Sequence, residues 1–164
     1  MSYPALQIAN EFIKLGIENN KPITQIHLLK FLYFANAAYL VFEGERLIEE
    51  DFLAWEFGPV IREVYAYTRL YGANPIQEEI PPYKDNETID ELSIQYIQET
   101  YKIFSNKAPF DLVAITHAIG GAWYIVFNSG SMVEEIEDED IIAEYKTKDI
   151  FDPYKKNKIN YIFV

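Results

Sequence analysis

Proton transfer or ion binding would draw first on His117, on His27 and on the acidic run from Glu134 to Asp140. His117 follows Thr116, and an imidazole that titrates near neutral pH has the chemistry of a general base. The other histidine, His27, lies in the first turn of a different helix, and no serine, cysteine or acid stands in an established catalytic pattern with either. A hydrogen-bonded histidine at a helix end is therefore the favoured reading of His117, with catalysis the weaker one. No two histidines stand four apart on one helix, so no metal site is expected. The acidic run Glu134 to Asp140 puts six acids in seven positions but lacks the glycine and alternating ligands of a calcium loop. It reads as a solvated helix start or as a face turned to a basic surface. Lys146, Lys148, Lys155, Lys156 and Lys158 cluster just beyond it. With no cysteine, disulfides, thiolate metal sites and a cysteine nucleophile are excluded, and no cofactor is expected.

The 164 residues are 49% apolar and 24% charged, the composition of one globular domain with its own core. Eleven Phe, thirteen Tyr and two Trp supply large buried areas, and tyrosine hydroxyls still need partners, which suits an interface. A formal charge of −12 repels a phosphate backbone, so nucleic acid is an improbable partner and a basic protein a better one. No charge-free apolar run is long enough to span a membrane and no basic start leads into an apolar leader, so a cytoplasmic location is expected.

The elements that must position these residues read mainly as helices. Ala5, Ile8, Ala9, Phe12 and Leu15 recur at helical spacing from about Pro4 to Asn19, and Pro22 ends that helix. Thr24 is a good N-cap for the next, which is apolar on nearly every face from Ile26 to Phe42, as a central helix is, and closes at Gly44. Phe52 to Phe57 reads as a short strand leading into Gly58-Pro59, with proline at the first position of a helix buried along Val60, Val64, Tyr67 and Tyr71. Ile76 to Ile80 is a candidate partner for that strand, limited by Pro81 and Pro82. A further amphipathic helix runs from near Ile89 to Phe104, with Asp90 and Glu91 at its start. Pro109 opens a shorter helix, and Gly120-Gly121 breaks it so that His117 and Trp123 are drawn together. Asp138 is a candidate cap for a last helix through Tyr145, and the stretch from about 146 reads as a polar tail. The expected fold is a single compact, mainly helical domain over 1–164 with a small β element.

Three segments, in order, resemble the Panacea antitoxin domain, a family that includes SocA-like antitoxins and phage-associated relatives. They are Leu28 to Gly44 (LLKFLYFANAAYLVFEG), Ala54 to Tyr65 (AWEFGPVIREVY) and Leu112 to Trp123 (LVAITHAIGGAW), the middle one being the most specific. One departure is Ala122, where the family often has proline before the tryptophan. The resemblance implies a non-enzymatic binding module that neutralises a cognate toxin, usually encoded by an adjacent gene, through direct protein contact. A rival reading is an adaptor that hands its partner to a protease. Two others are a small enzyme using His117 and a DNA-binding autoregulator, against which the charge speaks. Within the matched segments Trp55, Glu56, Tyr65, His117 and Trp123 are the candidates for partner contact. Gly58, Pro59, Thr116, Gly120 and Gly121 are assigned to shape. Glu56 is either a solvated acid or the partner of Arg62 or Arg69.

Overall fold

In the computed structural model, which describes residues 1–81 and 87–155, Ala5–Glu18 forms α1 with Ala5, Ile8, Ala9, Phe12 and Ile13 buried. Pro82, Lys156, Lys158 and the part of the expected tail beyond 155 lie outside the described residues. The second helix, α2, spans Gln25–Glu43 and is the centre of the molecule. The Thr24 side chain accepts from the His27 N–H while the His27 ring reaches back to Thr24, a reciprocal cap, and Gly44 closes the helix with φ +77°. Every residue from Leu28 to Leu40 is buried, so α2 needs neighbours on all sides. It has them in α1 and in five elements that follow.

A two-stranded antiparallel hairpin, β1 (Leu53–Trp55) and β2 (Gly58–Val60), lies against α2. Trp55 pairs with Gly58, leaving Glu56 and Phe57 as a two-residue turn. Here the structure corrects the sequence reading twice. Gly58 and Pro59 begin a returning strand rather than a helix, and α3 starts later, at Arg62–Thr68. Gly58 takes φ +109°, which lets the chain reverse at once, and burial of Val60 against α2 holds the return. The partner of β1 is therefore β2 and not Ile76 to Ile80, whose backbone is fixed elsewhere: the Ile76 N–H donates to the Ile23 carbonyl and the Ile80 N–H to Asn10 Oδ1. On its other edge β1 meets the acidic run, with the Ala54 N–H donating to the Glu134 carbonyl and the Ile136 N–H to that of Phe52. Only the end of that run starts a helix. Because α3 is short, Tyr67 faces water and Val64 carries its packing.

The helices α4 (Glu91–Phe104), α5 (Pro109–Thr116), α6 (Ala122–Phe127) and α7 (Asp138–Tyr145) complete the shell. Asp90 caps α4 by accepting from the Ser93 N–H at 2.8 Å, and Phe34 of α2 stacks on Phe104 at 4.3 Å. The cap of α7 is Glu137, one residue before the expected Asp138, which instead takes an ion pair from Arg46 at 2.8 Å. From Lys146 to Lys155 the described chain packs onto the helices, where the sequence reading has a polar tail. Phe151 stacks on Tyr145 at 4.8 Å, and Tyr154 stacks on Tyr96 at 5.7 Å with its hydroxyl 2.7 Å from Thr100 Oγ1. Two aromatic rings outweigh the lysines around them in deciding where that segment goes.

Candidate functional site

Lys30 lies in a helix that has no polar face, and its side chain is 1% exposed. The ammonium donates to the Pro59 carbonyl at 2.9 Å, tying α2 to β2. No carboxylate forms an ion pair with it among the described residues. Burial without a counter-charge pushes its pKa down to about 7. Gly58 closes over it so tightly that a Cβ there would meet Lys30 Cε at 2.6 Å and Thr116 Oγ1 at 2.8 Å. Thr116 is itself buried and donates its hydroxyl to the Val113 carbonyl at 2.8 Å, so that oxygen is not presented as a nucleophile.

Beside this tie runs a row of aromatic rings. The reversal at Gly120-Gly121 lays His117 flat on Trp123, with ring centroids 3.7 Å apart and planes within 7°. Trp123 also stacks on Phe127 at 4.5 Å, and its indole N–H donates to the Trp55 carbonyl at 2.7 Å. Trp55 in turn meets the edge of Tyr65 at 5.1 Å. The reversal is held from α7: Glu144 accepts from the Ala122 N–H at 2.9 Å and from Lys148 at 2.7 Å. Its carboxylate leaves no space for a side chain at Gly121, where a Cβ would lie 2.5 Å away.

A cavity of about 470 Å³ opens between the first turns of α2, the β1–β2 turn and the start of α5. Trp55, Glu56, Phe57, Tyr65 and Phe110 line it, and Lys30 contributes to its wall. Phe57 and Phe110 touch at 6.2 Å yet are 53% and 63% exposed. Three of the five candidate contact residues, Trp55, Glu56 and Tyr65, thus stand on one groove. His117 and Trp123 do not. Trp123 is buried, and His117 is half-buried with its Nε2 enclosed and without a hydrogen-bond partner among the described residues. Burial first, and then the nearby Lys30 charge, lowers the His117 pKa, which keeps the ring neutral at pH 7.

His27 is a structural cap. A carbonyl oxygen only accepts, so the 3.0 Å contact from His27 Nε2 to the Lys107 carbonyl places the proton on Nε2 and leaves Nδ1 as acceptor toward Thr24. Glu56 is exposed at the rim and makes no ion pair among the described residues, because Arg62 reaches Glu134 at 3.6 Å instead. Among the described residues no three acids or histidines stand close enough to hold a metal ion, and no helix is long and apolar enough to cross a membrane. The groove offers apolar faces and, in Glu56, a carboxylate without an ion pair among the described residues.

Lys30, Phe57 and Phe110 were missed by the sequence reading of the site. A lone lysine within Leu28, Leu29, Phe31 and Leu32 of a helix without a polar side was the available signal for the first. Phe57 became visible as a hairpin tip only once the strand pairing was known.

A family model described as "Antitoxin SocA-like, Panacea domain" matches residues 28–124. Antitoxin SocA of Caulobacter vibrioides (strain NA1000 / CB15N) is 30% identical over 143 residues, covering 77% of this chain and 72% of that protein. No solved structure matches.

Proposed function

The chain belongs to the SocA-like antitoxin family defined by the Panacea domain, and on that premise we propose that it neutralises a cognate toxin by direct protein contact at the hairpin groove. The observation that carries this reading is the pair of exposed rings, Phe57 and Phe110, beside the half-buried Trp55 and Tyr65. Aromatic side chains offer much contact area for few rotatable bonds and dominate the energetic centres of interfaces. The Lys30 tie and the indole hydrogen bond to Trp55 hold the hairpin in shape before a partner arrives, which reduces the entropy lost on binding. A net charge of −12 steers a basic partner toward the molecule at long range.

Co-expression with the product of the adjacent gene tests this. Wild type restores growth, His117→Gln restores it equally, and the lifetime of the toxin is not shortened. Failure of wild type to rescue removes the reading. Rescue lost only in a folded His117→Gln variant would favour chemistry at the imidazole, and a shortened toxin lifetime would favour a protease adaptor.

A further inference from the structure

We propose that the groove receives a cationic side chain, an arginine carried on an exposed segment of the partner protein, held between the aromatic rings and the Glu56 carboxylate. The inference takes the identity of the occupant's owner from the antitoxin reading, while the chemistry of the groove stands on its own geometry. Trp55, Phe57, Tyr65 and Phe110 all line the cavity, and aromatic faces attract a guanidinium laid over them, more strongly once water is excluded. Glu56 supplies the counter-charge. It is exposed at the rim, it is free of ion pairs among the described residues, and it belongs to the same two-residue turn as Phe57. A volume of about 470 Å³ admits such a side chain with its neighbours. The long-range field of a chain with charge −12 has the same sign as Glu56, so encounter and docking favour the same ligand.

The competing occupant is an acidic segment that pairs with Lys30. Access decides against it. Lys30 is 1% exposed and already donates to the Pro59 carbonyl, so a carboxylate would have to displace that contact from beneath Gly58. Glu56 needs no such rearrangement.

The test titrates the isotope-labelled full chain with acetyl-argininamide, its uncharged isostere acetyl-citrullinamide and acetyl-glutamic acid amide, following the Trp55 indole N–H by NMR. The arginine compound gives a saturable shift and binds about tenfold more tightly than the citrulline compound. Glu56→Gln, at an exposed position that the fold does not use, weakens arginine binding about fivefold and leaves the Trp123 indole resonance in place. The proposal is overturned if the arginine compound gives no saturable shift, or if citrulline binds equally well. It is also overturned if the glutamate compound binds best and loses that affinity in Lys30→Met. Toxin rescue without arginine binding would sink this inference alone, and arginine binding without rescue would sink the antitoxin mechanism alone.

Discussion

Replacing Lys30 with methionine is expected to stabilise the fold near pH 6 by a few kcal/mol and to flatten its dependence on pH. The unfolded lysine titrates at the ordinary 10.5, whereas burial lowers the folded value to about 7. At about 1.4 kcal/mol per unit, that difference is a cost on the order of 5 kcal/mol. Below pH 7 both states are protonated and the folded state bears the whole cost of an enclosed ammonium. As pH rises from about 7 toward 10.5, the folded group has lost its proton and the unfolded group keeps it. Stability then climbs by up to about 1.4 kcal/mol per pH unit and levels off above the unfolded pKa.

Methionine removes this term but leaves the Pro59 carbonyl without its donor, which costs about 1–3 kcal/mol and offsets part of the gain. Tyr33 and Tyr145, whose hydroxyls titrate well above the usual range because they are buried, lower stability at the alkaline end in both proteins. The difference between the two curves therefore isolates Lys30. Urea unfolding at pH 6, 7, 8 and 9 measures it; parallel curves would show that the lysine is not held uncompensated.

Gly58→Ala is expected to cost about 3 kcal/mol or more, because two penalties coincide. Alanine is strained at φ +109°, and its Cβ would stand 2.6 Å from Lys30 Cε and 2.8 Å from Thr116 Oγ1. Both neighbours are buried, so to make room Lys30 must give up its bond to the Pro59 carbonyl or Thr116 must shift in the core. Gly44 provides the comparison. It also has positive φ, +77°, but nothing lies within 4 Å of its Cβ position, so Gly44→Ala shows only the backbone term of about 1 kcal/mol. In thermal unfolding the expected decreases are roughly 10 °C for the first and roughly 3 °C for the second. Equal decreases would mean that packing over Lys30 contributes nothing.

These two residues also mark the boundary of what the sequence discloses. Thr24, Gly44, Pro109 and the paired glycines act through local backbone chemistry, so the elements they begin or end were legible directly. The stacking of His117 on Trp123 followed from the same logic, since a break of two glycines permits few paths between them. Gly58-Pro59 reads in sequence as a helix start, and that reading fails because the pair fits a returning strand as well. Contact with α2 resolved it, with Val60 buried and Lys30 bonded to Pro59 across 29 positions of sequence. No local rule contains such a contact. Tyr154 was hidden for the same reason: its environment is made by Tyr96 and Thr100 of α4, more than fifty positions earlier. Of the candidate site, the aromatic motif residues were readable from type alone. Which of them face outward was not, because exposure depends on the hairpin turn and on the neighbouring helix start that brings Phe110 alongside Phe57.

On the proposed function, affinity for the partner resides in the exposed rings of the groove. Its most direct test is the equilibrium affinity of the purified chain for the purified product of the adjacent gene, measured for wild type and for Phe57→Ala/Phe110→Ala. Both rings are more than half exposed, so the double variant should melt within about 2 °C of wild type. Its affinity should fall about a hundredfold or more. An unchanged affinity in the folded double variant would place the toxin on another face of the molecule and contradict the account.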